Sequence, residues 1–338
     1  MRRRAQAPAT RHALFALIAC CVPLLTGCAH VPFRPSAARP TQPLPSTLAA
    51  YYAYPSATPT VETAPLETRA RYRRWLIRFP LTAPDFTPTE PTIEIEWFES
   101  TAEGKRPAIL FSPILGGDYP LERGICRFLA SHGYHVALIH RKTLKVSPEK
   151  DAAYLELLLR QAILRNRQTV DWMVRQPGVD AERLAGYGIS MGGIATLITA
   201  AVEPRLKYHV VALAGGSLPD ILCSSHDKLL AKPRERYLAH HHIDLNTMHR
   251  LLTEALTTDP IRMAPYVDPD RFLMFLALAD RTIGTSNAIR LWKAAGRPSC
   301  VFMPVGHYTA YLTLPYLKYA SLRFLNKRFG TMPSAISR

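Results

Sequence analysis

Short hydrophobic runs recur along most of the chain, and longer segments with helical spacing separate them. Residues 92–98 alternate, with Ile93, Ile95 and Trp97 on one face and polar side chains on the other, which is typical of a half-exposed strand. Residues 71–79 have a similar pattern, and no helix separates the two, so the sheet is predicted to begin with an antiparallel pair. Six further runs are uniformly apolar: residues 108–111, 135–139, 184–187, 209–213, 272–278 and 300–303.

These apolar runs indicate the class of fold. Strands that are apolar throughout need cover on both faces, and strands that alternate with helices form a mostly parallel sheet with right-handed crossovers. The longest helical segment, residues 148–176, ends at Pro177-Gly178. The pattern predicts one α/β domain over residues 69–330, with helices on both faces of the sheet, followed by a C-terminal tail at residues 331–338. About 260 residues suffice for a single core.

The N-terminus has the layout of a targeting segment. A basic start containing Arg2, Arg3, Arg4 and Arg11 precedes an uncharged apolar run at residues 13–25. That run is too short to cross a bilayer core, which needs about 20 residues. A basic region followed by a short apolar region is typical of a secretory signal peptide, which we assign to residues 1–27.

The end of this segment reads Leu25-Thr26-Gly27-Cys28, and it resembles the lipobox of bacterial lipoproteins. The resemblance implies that Cys28 is the mature N-terminus and carries acyl chains, which together anchor a protein stably. Ala29 stands where inner-membrane retention signals tend to have Asp, so the resemblance implies anchoring in the bacterial outer membrane, facing the periplasm or the cell surface. A plain signal peptide or a hydrophobic N-terminal arm is the alternative.

The net charge, taken alone, suggests nucleic acid as a binding partner. The 338 residues include 42 Lys and Arg against 26 Asp and Glu, a net charge of +16 that would suit nucleic acid. Removal of residues 1–27 takes away four arginines and leaves +12. An exported, membrane-attached protein meets little nucleic acid, so no such partner is expected. The excess charge fits a solvated face or an anionic membrane surface.

Residues 28–68 are rich in proline, with little sustained apolar pattern. Such a segment is predicted to be a semi-extended tether between anchor and domain.

Three cysteines remain in the domain and show no metal-ligand spacing, so we expect buried thiols, although one disulfide of unknown pairing stays possible. These are Cys126, Cys223 and Cys300. The run His240-His241-His242 lacks further ligands at suitable spacing, and no metal or other cofactor is predicted.

A candidate nucleophile follows the strand at residues 184–187. Gly188-Ile189-Ser190-Met191-Gly192 is a G-x-S-x-G motif between that strand and a helical run at residues 194–202. The strand–turn–helix context is what the motif requires, since the serine must lie on a strained turn whose glycines allow a close approach. Ser190 is therefore predicted to be the nucleophile of a hydrolase.

A serine hydroxyl needs a base, and the base needs an orienting carboxylate. His307 follows the strand at residues 300–303 and can accept a proton near neutral pH. Asp280 follows the strand at residues 272–278, whereas Asp268 and Asp270 precede it and are expected at the wrong end of the sheet. Asp259 is the weaker alternative.

The order Ser190, Asp280, His307 is that of the α/β-hydrolase fold. The chain resembles this family over residues 107–329, and within it the bacterial secreted esterases akin to dienelactone hydrolases. Further matching residues lie at 168–172, 180–184 and 186–193. Dienelactone hydrolases proper use cysteine as the nucleophile, so Ser190 implies an ordinary esterase-like member.

The resemblance also implies two backbone donors for the oxyanion: the N–H of Met191 and one from the loop after residues 108–111. Family members usually have His-Gly in that loop, where this chain has Pro113-Ile114, so Leu115 is the favoured donor and Ile114 the alternative. An insertion at residues 217–258 is predicted to form a helical lid.

The sequence thus predicts a membrane-anchored serine hydrolase that acts on a small ester or acyl substrate, most simply a carboxylic ester. A peptidase or an acyltransferase would use the same three residues. A non-catalytic envelope lipoprotein that keeps the fold as a scaffold is the third interpretation, and the altered loop favours it. Acyl length and oligomeric state are left open.

Overall fold

The computed structural model describes residues 27–56, 58–116, 118–141 and 148–331. The predicted signal peptide and C-terminal tail lie almost wholly outside these ranges. Ten strands are found in the described part: β1 (Ala29–Val31), β2 (Glu62–Thr68), β3 (Tyr72–Pro80), β4 (Thr92–Ser100), β5 (Arg106–Ser112), β6 (His135–Ile139), β7 (Val179–Ile189), β8 (Leu206–Ala212), β9 (Phe272–Ala277) and β10 (Ser299–Met303).

All these strands form one sheet in the order β1-β10-β9-β8-β7-β5-β6-β4-β3-β2. The six strands from β10 to β6 are parallel to one another, while β1 at one end and β4, β3 and β2 at the other are antiparallel to their neighbours. The eight strands predicted from the apolar pattern are all present, and the antiparallel pair is β3 with β4. The predicted mixed sheet is confirmed.

Helices connect the strands and cover both faces. The described ones are α1 (Ser46–Tyr51), α2 (Pro120–Ser131), α3 (Ala152–Met173), α4 (Met191–Val202), α5 (Leu218–Ser224), α6 (Lys228–His241), α7 (Leu245–Ala255), α8 (Pro260–Met263), α9 (Thr285–Ala294) and α10 (Leu314–Phe329). Helices α2 and α10 bury apolar side chains on one face of the sheet, and α3, α4 and α9 do so on the other. In the described part of the chain, no helix is both long and apolar enough to span a membrane.

Two sequence predictions about side chains and loops are confirmed by this packing. The three domain cysteines are buried and form no disulfide. The insertion at residues 217–258 is helical, and it consists of α5, α6 and α7.

The segment predicted to be a tether instead packs on the domain. Strand β1 pairs with β10, and β2 pairs with β3, so residues from this segment cover both edges of the sheet. Tyr52 is fully buried, and its hydroxyl lies 2.9 Å from that of Thr258. The Arg39 guanidinium donates to the carbonyls of Ala264 and Ala294. The prediction of a semi-extended tether is therefore wrong for this segment, because its backbone pairs with the two edge strands of the sheet and its side chains bond to groups of the domain.

A buried carboxylate ties the antiparallel strands to α2. Glu96 on β4 is 2% exposed and accepts hydrogen bonds from Arg123 at 2.5 Å, from His140 at 2.9 Å and from Arg74 at 3.2 Å. Burial would raise the pKa of Glu96, but the hydrogen bonds from His140 and Arg123 outweigh it and lower that pKa to about 2. The ionised carboxylate thus holds the first turn of α2 against the sheet.

This carboxylate predicts a loss of stability in acid. A carboxyl whose folded pKa lies below its unfolded value stabilises the fold above the unfolded pKa, and the contribution is lost as pH falls towards 2. We expect up to about 3 kcal/mol of unfolding free energy to disappear between pH 5 and pH 2 through this group. Urea unfolding across that range measures it. Glu96→Gln should be less stable at pH 7 and show a shallower pH dependence, whereas the exposed control Glu103→Gln should follow the wild type.

Candidate active site

Ser190 lies on a strained turn between β7 and α4. Its backbone has φ 55° and ψ −121°, and its N–H donates to the carbonyl of Ala212 at 2.8 Å. A Cβ on Gly188 would lie 2.1 Å from the carbonyl oxygen of Gly192, and one on Gly192 would lie 2.1 Å from that of Ser112. Only glycine fits at these two positions, and the turn presents the serine at the carboxyl end of the sheet.

The three predicted residues are brought together in one hydrogen-bonded chain. The Ser190 hydroxyl lies 3.0 Å from Nε2 of His307, and Nδ1 of His307 lies 2.7 Å from Oδ2 of Asp280. The other oxygen of Asp280 accepts the backbone N–H groups of Thr282 and Ile283, each at 2.9 Å. With Nδ1–H donating to the carboxylate, Nε2 is free to accept the serine proton.

The ends of β9 and β10 set the distance between the acid and the base. Just beyond the strands, the N–H of Leu278 donates to the carbonyl of Met303, and the N–H of Ala279 donates to the carbonyl of Val305. The two loops therefore leave the sheet side by side, although Asp280 and His307 are 27 residues apart in sequence.

The other candidate carboxylates lie elsewhere. Asp259 caps α8 and accepts N–H groups from Ile261 and Leu218, so it does not contact the histidine. Asp268 and Asp270 precede β9, at the opposite end of the strand, and pair with Arg271 and Arg328. The structure therefore selects Asp280 from the sequence candidates.

The loop after β5 distinguishes the two candidate oxyanion donors. The N–H of Ile114 donates to Oε1 of Glu122 at 3.0 Å, so it is already engaged. The carbonyl of Ile114 accepts a hydrogen bond from Nη2 of Arg141 at 2.6 Å. In a trans peptide the carbonyl and the following N–H point to opposite sides, so the N–H of Leu115 is directed away from Arg141. Leu115 and Met191 line the same cavity as Ser190.

Comparison of the sequence with known protein families and with curated proteins finds no match. Solved structures do match. Acetyl xylan esterase 1 from Thermoanaerobacterium sp. JW/SL YS485 superposes with a TM-score of 0.60 at 18% identity, over 86% of this chain and 99% of the esterase. The acetyl xylan esterase from Paenibacillus sp. R4 gives 0.61 at 17% identity, over 83% and 91%. The chain has the α/β-hydrolase fold.

Two residues that support this site, Glu122 and Arg141, were not predicted from the sequence. Glu122 in the first turn of α2 is fully buried, and burial raises the pKa of its carboxyl. Arg141 follows β6, and the Tyr119 hydroxyl fixes its backbone by accepting its N–H at 2.8 Å and donating to its carbonyl at 2.6 Å. Each holds one side of the Ile114 backbone. Neither residue belongs to a recognisable motif, so the sequence alone does not indicate which backbone group each one contacts.

A cavity of about 320 Å³ opens beside Ser190 and His307. The helices of the insertion form one wall, as predicted for a lid, and the segment after His307 forms another. Its polar groups, apart from the two catalytic candidates, are the side chains of Asp227 and Thr282 and the hydroxyls at the tips of Tyr308 and Tyr311, whose rings are apolar. The remaining lining residues are apolar: Ile114, Leu115, Leu121, Ile189, Met191, Ile194, Leu213, Leu218, Ile221, Leu222, Leu229, Leu230, Ile283, Ala310, Leu314 and Leu317.

The three adjacent histidines do not converge. Nε2 of His241 on α6 contacts the carbonyl of Pro148, and the His241 ring lies tilted against that of Tyr237 and edge-to-face with that of His240. Within the described ranges, no group of three or more His, Cys, Asp or Glu side chains is arranged to hold a metal ion.

Proposed function

We propose that this protein is a serine hydrolase that cleaves carboxylic esters through an acyl-enzyme on Ser190. One observation carries the proposal: a serine on a strained strand–helix turn is hydrogen bonded to His307, which is hydrogen bonded in turn to Asp280. The two acetyl xylan esterases that share the fold support an esterase assignment.

The geometry supports the following steps. The Ser190 oxygen attacks the ester carbonyl while Nε2 of His307 takes its proton, and Asp280 stabilises the resulting imidazolium. The N–H groups of Leu115 and Met191 bind the oxyanion, each contributing about 3 kcal/mol to transition-state stabilisation. The imidazolium then protonates the departing alcohol. Water, activated by the same histidine, releases the acid and restores the serine.

The cavity lining favours an ester over a peptide. A peptide bound there would bury several backbone N–H and C=O groups, and each unpaired group would cost about 1–3 kcal/mol. The few polar side chains around the cavity cannot pair them. An ester carries no N–H donor, so its transfer from water into such a cavity costs less free energy.

The anchor is proposed from the sequence around Cys28, since the residues before Gly27 lie outside the described part of the chain. We propose that the chain is exported and acylated on Cys28 in the bacterial outer membrane, as expected for the lipoprotein it resembles. We likewise propose, from the sequence motifs alone, that the chain belongs to the dienelactone-hydrolase-like branch of the esterases.

A double-labelling experiment tests both proposals on the full chain in bacterial cells. A fluorophosphonate probe reacts with an activated serine, and an alkyne analogue of palmitate reports acylation. Wild type should take both labels, Ser190→Ala should keep only the palmitate label, and Cys28→Ala should keep only the probe. Each variant is the control for the other. Equal probe labelling of wild type and Ser190→Ala would contradict the nucleophile, and palmitate retained in Cys28→Ala would contradict the anchor.

A further inference from the structure

Apolar side chains surround the mouth of the cavity and face solvent. Leu229, Tyr308 and Tyr311 line the cavity, yet they are 61%, 63% and 64% exposed, and the neighbouring Leu312 is 62% exposed. We call these four residues the rim. Only five large apolar side chains in the described ranges are more than 60% exposed, and four of them form the rim. Such a concentration of exposed apolar surface marks a place where something binds.

The rim is held in place rather than loose. Asp227, at the start of α6, accepts a hydrogen bond from the Tyr308 hydroxyl at 2.5 Å and one from the Thr282 hydroxyl at 2.8 Å. This carboxylate joins the helix that carries Leu229 to the turn that carries the other three rim residues. The rim therefore exists as a surface before anything binds to it, and tyrosine and leucine are side chains that suit a membrane interface.

The start of the described chain lies at the same edge of the sheet. Because β1 is antiparallel to β10 and Ala29 lies opposite Phe302, Cys28 lies beside the carboxyl end of β10. That is the end from which the loop to His307 departs. The His30 ring also hydrogen bonds with the Tyr316 hydroxyl, just after the rim. Whatever precedes Cys28 is attached at this edge.

The sequence up to Cys28 indicates that the rim meets a lipid bilayer. An acyl chain on Cys28 or an apolar arm at residues 13–25 would each bring this edge of the domain to a bilayer. The packed N-terminal segment provides no long spacer, so the distance from Cys28 to the membrane is short. The exposed Lys228 and Arg281 flank the rim and suit anionic headgroups.

We propose that the rim docks on the lipid bilayer and that the substrate is a lipid-like ester with a long hydrocarbon chain, taken directly from that bilayer. The substrate class rests on the proposed ester hydrolysis, whereas the docking does not. At about 30 Å³ for each methylene group, the cavity has room for a chain of about ten carbons. Each methylene that enters should raise kcat/KM about four-fold until the cavity is full.

Turnover in vesicles tests the substrate class. The full chain is reconstituted in vesicles of phosphatidylethanolamine and phosphatidylglycerol, and hydrolysis of dissolved p-nitrophenyl acetate is compared with that of 4-methylumbelliferyl oleate embedded in the bilayer. Leu312→Asp should lower the ratio of oleate to acetate turnover at least ten-fold. Tyr319→Ser, an equally exposed position outside the cavity, should leave the ratio unchanged. An unaltered ratio in Leu312→Asp would overturn the proposal.

A second readout does not depend on turnover. A fluorophore attached to Leu312→Cys should be protected from iodide in the same vesicles, whereas one attached to Val61→Cys at the far edge of the sheet should be quenched. Protection at both sites or at neither would overturn the docking. Protection that persists in detergent and rises with protein concentration would assign the rim to a second copy and also overturn it. Protection at residue 312 with turnover of neither ester would support the docking and contradict the proposed hydrolase.

Discussion

Replacing Asp280 with asparagine is expected to lower kcat for ester hydrolysis about ten-thousand-fold. The Asp280 carboxylate accepts Nδ1–H of His307 at 2.7 Å, which leaves Nε2 to accept the serine proton. An amide NH₂ in that place would favour the opposite tautomer, with a proton on Nε2. The amide oxygen can still accept the two backbone N–H groups of the loop, so the fold should persist.

The matched control is Asp259→Asn, which changes a carboxylate of similar burial that also accepts two backbone N–H groups. Steady-state kinetics on p-nitrophenyl acetate and thermal unfolding are measured on both variants. Asp259→Asn should lose stability and no more than a few-fold in kcat. Equal losses of kcat in the two variants would show that Asp280 has no special part in the chemistry.

Removing the guanidinium of Arg141 is expected to lower kcat by about 10²–10³, the effect of losing one oxyanion donor. Arg141 does not touch the substrate; it is a positioning residue that holds the Ile114 carbonyl at 2.6 Å and so fixes the direction of the Leu115 N–H. Arg141→Met keeps the length of the side chain and removes the donors. KM should change little, because the misplaced N–H matters mainly in the transition state.

Three comparisons separate positioning from a general loss of structure. Affinity for a boronate that mimics the tetrahedral intermediate should fall in proportion to kcat in Arg141→Met. Arg141→Lys should recover part of the activity, since an ammonium can still donate one hydrogen bond to the Ile114 carbonyl. Glu122→Gln should stay close to wild type because its amide oxygen can accept the Ile114 N–H. A raised KM with unchanged boronate affinity would argue that the loop serves only to bind substrate.

The sequence predicted the centre of the sheet well for a physical reason. Strands covered on both faces consist of continuous apolar residues, and turns with glycine and proline separate them, so β5 to β10 could be located from local pattern alone. Ser190, Asp280 and His307 followed, because functional side chains in such folds lie where parallel strands end.

The edges of the sheet and the support of the oxyanion loop could not be found in this way. β1 is three residues long, and β2 is mostly exposed and contains Pro65, which an edge strand tolerates. Their partners are distant, so the local sequence resembles an unstructured spacer. Glu122 and Arg141 act on backbone groups of a loop rather than through a motif, and only the folded chain shows which carbonyl or N–H each one meets.

The pairing of β1 with β10 also fixes an order of events during synthesis. Residues 29–31 leave the ribosome before every other described strand of the sheet, whereas their partners at 300–302 belong to the last of those strands to be made. β1 therefore stays unpaired until the eight strands between it and β10 have been made. Pairing over so large a sequence separation is slow because a long loop must close first. The edge of the sheet formed by β1 and β10, beside which Cys28 lies, is thus expected to form late.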